Sequence, residues 1–273
     1  MLLRRIWDHD LAWSFRRSPV TIAAALLALV CVSGALLAPW ISPQDPFDVA
    51  SLDLNAAFKP PAWLEGGDPA YLLGSDNQGR DMLSTILYGS RISLGIGLAS
   101  VLFALVLGVS LGLVSGYFGG RIDAVIMRIA DVQLSFPAIL IALLIDGVTR
   151  VALSGERHEQ IAIPVLVLSI GFAGWVQYAR TVRGSTLVER SKEYVQAARV
   201  IGRRPLSILV SHVLPNVMGP VLVIATIHIA TAIITEATLS FLGVGVPPTQ
   251  PSLGTLIRVG NEFLYSGEWW ITV

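Results

Sequence analysis

From Pro19 to Ile41 the chain carries no charged side chain, and a helix needs about 20 apolar residues to cross a bilayer. The run exceeds the roughly 7–15 apolar residues of a signal-peptide core, so it is expected to stay in the protein as a first span. Further apolar stretches at 92–118, 122–145, 161–178 and 217–244 read as four more spans. The chain is 53% hydrophobic and 14% charged, whereas a soluble domain is about a quarter charged. Its net charge of zero excludes a strong nucleic-acid footprint. Its single cysteine, Cys31, excludes an internal disulfide. These features predict an all-α, polytopic helical bundle in a membrane.

Charge asymmetry orients the bundle. Arg4, Arg5, Arg16 and Arg17 precede the first span, and Trp7, Leu11 and Phe15 recur at four-residue spacing. Residues 1–18 therefore read as an amphipathic segment on the cytoplasmic face, with the N-terminus inside. Residues 42–91 hold Asp45, Asp48, Asp53, Glu65, Asp68, Asp76 and Asp81 against few basic residues, as expected of an external linker. Ser75 to Gln78 has capping-box spacing, so a helix is predicted to start there and run toward Tyr88. Gly95, Gly97, Gly108, Gly112 and Gly116 include small-xxx-small pairs, a signal for helix packing. Phe136-Pro137 should break the third span, and Arg128 lies close enough to Asp131 to pair. Residues 146–160 read as a short external loop. Residues 180–215 contain Arg180, Arg183, Arg190, Lys192, Arg199, Arg203 and Arg204 against Glu189 and Glu193, which places them inside.

Within that basic stretch, Glu193 to Ile201 reads as a short helix with Tyr194, Ala197, Ala198 and Ile201 on one face. Gly202 supplies a left-handed stop, and Arg199 suits the helix dipole. A second short helix is expected to end near Leu214-Pro215. The pair Ala197-Ala198 suggests a flat surface that another protein can approach closely.

Glu193, Ala197-Ala198, Gly202 and Leu214-Pro215 resemble the EAA loop of membrane-spanning subunits of bacterial ABC importers. The strings LLGSDNQGRDMLSTILYGSRISL and PPAWLEGGDPAYLLG resemble the linker of the dipeptide-importer branch, and the likeness covers nearly the whole chain. It implies a permease of the type I ABC importer fold that moves dipeptides or oligopeptides across the bacterial inner membrane. It implies a homologous permease as partner in a heterodimer, two ATPase subunits that hold ATP and Mg, and an external substrate-binding protein. This chain would bind no cofactor itself. The ATPase-coupling residues would be Glu193, Tyr194, Ala197, Ala198, Arg199, Gly202, Leu214 and Pro215. The family's core would be 92–273, with the coupling loop at 180–215. Six spans are implied. Trp269-Trp270 would anchor the sixth, of which only Ile271 to Val273 are present, so the last span is expected to be truncated.

No Walker motif GxxxxGK[ST] and no HExxH occurs, and the four histidines, His9, His158, His212 and His228, lack ligand spacing. No catalytic or metal-binding residues are expected. Glu236 and His228, two turns apart in the fifth span, are costly in lipid. The run Glu236-Ala-Thr-Leu-Ser240-Phe241-Leu-Gly resembles the peptide-importer pattern, so Glu236, Ser240 and Phe241 are candidates for a pathway or gate. For His228 a bond to a neighbouring helix is the expectation. A nickel or other small-solute importer of the same family is the alternative. Remote alternatives are an ion channel and an intramembrane serine protease pairing Ser110 of Gly-Val-Ser-Leu-Gly with His228.

Overall fold

A computed structural model describes residues 15–48, 52–152, 155–247, 250 and 252–272, without the side chains of 155–160. The amphipathic reading of 1–18 falls outside these residues apart from its last four. Among the described residues no named strand occurs, and the long elements are helices. Among the described residues four helices are long and apolar enough to cross a membrane, Pro19–Ile41, Met82–Phe118, Ile161–Glu189 and Pro205–Phe241. A bent pair makes a fifth span if counted as one. The chain divides into two compact units, residues 1–91 with 263–273, and residues 92–262.

In the first unit, α1 (Pro19–Ile41) begins at Ser18, whose hydroxyl accepts from the Thr21 N–H at 3.3 Å, with Pro19 at the first position. Both devices satisfy groups that a helix start leaves unbonded. Leu26, Leu27, Leu29 and Val30 are exposed around the helix, as lipid contact requires. Only the small residues Ala35 and Ala38 are buried, and a side chain at Gly34 would press on Leu87. The helix expected from Ser75 starts instead at Met82, as α2 (Met82–Phe118). Asp76 captures the N–H groups of Gln78 and Arg80 and pairs with the buried Arg80 guanidinium at 2.6 Å. That local bonding competes with a helix and folds 75–81 into a turn closed by a Ser75–Asp81 bridge. Asp81 then caps α2, accepting from the Ser84 N–H at 2.7 Å. Trp270 donates to the Ser75 carbonyl at 3.2 Å, and Phe263 meets Phe58 edge to face, which ties the closing segment to this unit.

In the second unit, Gly119 and Gly120 make the expected turn into α3 (Gly120–Leu134). α4 (Ala138–Ala152) follows at a bend of 91°. The third span is therefore two helices and not a kinked rod. Pro137 lacks an N–H, and it disfavours a helical conformation at Phe136. The loop expected over 146–160 is largely helical. Asp146 is buried in α4 and bonded to Arg150 at 2.5 Å, and α5 already runs from Gly155 to Glu189. Gly108, Gly112 and Gly116 of α2 lie directly on the α5 backbone. A Cβ at Gly108 would fall 2.4 Å from the Trp175 carbonyl, and one at Gly112 2.6 Å from that of Ala179. Asp131 pairs with Arg180 of α5 at 2.5 Å and not with Arg128. Asp123 takes both prongs of Arg183 at 2.5 and 2.6 Å. Asp123 and Asp131 of α3 thus find partners across a helix interface and not along their own helix.

Candidate functional site

The Glu193 stretch forms α6 (Glu193–Val200). Glu193 lies in its first turn and Arg199 in its last, both favourable to the dipole. The end is a Schellman motif. Gly202, at φ 76°, donates to the Arg199 carbonyl at 3.0 Å, and Arg203 donates to that of Ala198 at 3.1 Å. Arg204 and Pro205 open α7 (Pro205–Ile208), and a π-turn at Leu209–Val213 leads into α8 (Leu214–Phe241). The expected stop at Leu214-Pro215 is absent. Pro215 occupies the first turn of α8, and the widened turn before it carries the bonds that a proline there interrupts.

The side chains of α6 separate into two sets. Val195 and Ala198 are buried against Tyr117, Val182, Ile208 and Val213. Ala197 faces out, beside Val200 and Ile201, which are 87% and 73% exposed. Leu206, at 72%, continues the exposed apolar set on α7. The expected single face of Tyr194, Ala197, Ala198 and Ile201 is therefore corrected. Ala198 is core, because the stripe Val195–Ala198 is the one the neighbouring helices cover. Arg199 lies 4.7 Å over the Tyr117 ring, and Arg190 donates to the Gly116 carbonyl at 2.9 Å. Tyr194 donates to Glu189, receives Asn216 at 3.2 Å and stacks on His212. Burial, then the bond and charge of Glu189, push its phenol up to about 12. Leu214 packs on the same core, while Pro215 is exposed. Not assigned to this site from the sequence were Val195, Tyr117 and Arg190, the last counted only among the basic residues of 180–215. The Val195–Ala198 spacing of three was the signal available for the first.

Glu236 is 0% exposed. One oxygen accepts from Ser240 and the other from Ser93, each at 2.7 Å. Ser93 in turn accepts from the Leu253 N–H at 3.2 Å, at the start of α9 (Leu253–Glu262). A buried carboxylate needs such donors to remain tolerable. The cluster thus locks α2, α8 and α9 together, and Glu236 lies inside the bundle and not on a surface. Ser240 was legible at i+4, whereas Ser93, 143 residues away, was not. Phe241 is partly exposed at the end of α8. His228 bonds a neighbouring helix, with its Nδ1 at 3.0 Å from the Tyr178 hydroxyl. Ser110 is exposed and His228 engages Tyr178, so the serine–histidine pair of the protease alternative is not assembled. His9 and the side chain of His158 lie outside the described residues.

Residues 108–271 match the family described as binding-protein-dependent transport system inner membrane component. The chain is 36% identical to the dipeptide transport system permease protein DppC of Haemophilus influenzae, over 99% of this chain and 86% of that protein. It is 35% identical to a di/tripeptide transport system permease protein DppC of Pseudomonas aeruginosa, over 98% of this chain and 82% of the relative. Among solved structures it resembles a chain of the MetNI methionine ABC transporter in inward-facing conformations. That likeness has a TM-score of 0.55 and 20% identity, and it covers 69% of this chain and 86% of the other. At that identity it speaks for the fold alone.

Proposed function

Because this chain belongs to the family of binding-protein-dependent transport system inner membrane components, we propose that it is a permease subunit of an importer for dipeptides or oligopeptides. It pairs with a homologous permease, and the path runs between the two. Its N-terminus and α6 lie on the cytoplasmic side, where arginines outnumber acids. Two ATPase subunits dock there and hold ATP and Mg, and this chain itself makes and breaks no bonds. A substrate-binding protein delivers peptide from outside.

The observation that carries this reading is the division of α6. Val200, Ile201 and Leu206 are apolar and exposed next to charged Arg203 and Arg204, as an anchor for another protein requires. Val195 and Ala198 weld the opposite side to α2, α5 and α8. A close-packed contact transmits displacement without yielding, so movement of a docked ATPase passes to the bundle. The nucleotide must bind one state more tightly for this to shift the equilibrium. Glu236, with Ser240 and Phe241 beside it, holds a gate segment by locking three helices.

The test is copurification. Replacing both Val200 and Ile201 with Asp should leave insertion intact and reduce ATPase recovered with the complex by at least tenfold. Full recovery and full peptide uptake would sink the assignment of this surface.

A further inference from the structure

A cavity of about 310 Å³ lies against α5 and α8, apart from both the docking helix and the Glu236 cluster. Its volume is at the lower end of small-molecule sites. Gln177 of α5 and His228, Thr231 and Thr235 of α8 line it, together with apolar residues such as Ile227. Among the described residues that line it, none is Asp, Glu, Lys or Arg. Polar side chains within a span mark a cavity or path in preference to lipid.

The chemistry of the wall is directional. Tyr178 is buried and its phenol lies on His228 Nδ1 at 3.0 Å. We assign the phenol as the donor in this contact, which places the imidazole proton on Nε2. Gly174 makes room for that edge. A Cβ there would sit 2.1 Å from Cε1 and 2.5 Å from Nε2, so any larger residue displaces the ring. The threonines have the opposite character. Thr231 donates to the His228 carbonyl at 3.0 Å and Thr235 to the Thr231 carbonyl at 2.8 Å. Their hydrogens are committed to the helix, and their lone pairs remain as acceptors. From His228 to Thr235 the helix rises about 10 Å at 1.5 Å per residue. An extended chain covers that length in about three residues.

A donor at one end, acceptors along the wall and no formal charge match a ligand that alternates C=O and N–H groups. Resting on the peptide-importer reading above, we propose that this cavity contacts the backbone of a peptide in transit, bonding its amides and not its charged termini or side chains. Such contacts are independent of side-chain identity and individually weak, which suits a route that must also release its cargo.

The test uses the assembled complex with its permease, ATPase and binding-protein partners in proteoliposomes, and uptake of tri-alanine. Complexes are matched by the amount of copurified ATPase. The Thr231→Val, Thr235→Val pair and His228→Leu should each lower uptake about fivefold, the worth of a lost hydrogen bond or two. Thr231→Ser with Thr235→Ser should restore it, because serine keeps the oxygen. Gly174→Ala should reproduce the His228→Leu loss, and combining the two should add nothing further. Wild-type uptake in the valine pair and in His228→Leu, or equal loss in the serine and valine pairs, overturns the inference and leaves the importer reading standing. A wild-type complex that takes up neither tri-alanine nor di-alanine overturns both.

Discussion

The two ends of α8 are held by opposite chemistries. At its start, the π-turn and α6 are bound by apolar packing, with Val195, Ala198, Ile208 and Val213 all buried, and apolar residues are left exposed beside them. Near its end, Glu236 is bound by hydroxyls and buried completely. Apolar packing is non-directional, so a face packed this closely moves as one unit and carries the displacement to its neighbours. Hydrogen bonds to a buried carboxylate are directional and lose most of their worth if one partner moves. The first end is therefore suited to meet another protein and to be pushed. The second is suited to hold one arrangement of helices until something larger releases it.

The largest expected effect tests the polar end. Glu236→Ala removes both bonds and leaves the hydroxyl protons of Ser93 and Ser240 without their acceptor, at a cost of about 3–5 kcal/mol for two charge-assisted bonds. It should lower the thermal midpoint of the detergent-solubilised protein sharply and abolish transport. Glu236→Gln keeps an acceptor and should retain most of both. If Gln loses as much as Ala, charge and not bonding is what matters there; if both retain function, the cluster locks nothing.

Next comes the apolar end. Ala198→Trp overpacks the core at a cost of about 1–3 kcal/mol and should destabilise the protein. Ala197→Trp, on the exposed side, should leave stability unchanged and reduce ATPase recovery. Equal stability of the two variants would show that Ala198 is not core. A smaller effect is expected at Gly202, where a Cβ meets nothing within 4 Å and only the positive φ resists it. Gly202→Val should cost about 1–2 kcal/mol through the left-handed backbone and misdirect α6. Gly202→Asn, which adopts that conformation more readily, should be recovered with its ATPase near the wild-type level.

The smallest effect lies far from either end. Lys59 and Asp68 pair at 2.7 Å in the acidic segment. Their bond holds the Asp68 carboxyl below its usual range and the Lys59 amine above its own. The aspartate's contribution is present above its unfolded value and is lost as pH falls through the lowered one. The lysine's is present below its unfolded value and is lost as pH rises through the raised one. Stability of this segment, read as protease resistance, should be flat between those limits. Asp68→Asn should remove the acid-side dependence and, because Asp68 is what raises the Lys59 amine, the base-side dependence as well, by a small margin because both groups are half-exposed.

What could be read from the chain alone was what local chemistry dictates. The span Pro19–Ile41 emerged with its bounds as expected, because length, apolarity and the Ser18-Pro19 start are all local. Gly202 terminates α6 as read, because a left-handed residue is a property of one position. The contact glycines of α2 were legible as a spacing of four, though not that α5 covers them. Tertiary structure decided the rest. Ser75 has capping-box spacing, but Asp76 and Arg80 bind each other and move the helix start to Met82. Asp131 had a plausible partner one turn away and took Arg180 instead. Ala198 turned inward because other helices cover the Val195 stripe. Glu236 found Ser93 across 143 residues. Periodicity states which side chains share a face, but which face is covered, and by what, is a contact between distant parts of the chain. No window of neighbouring residues contains it.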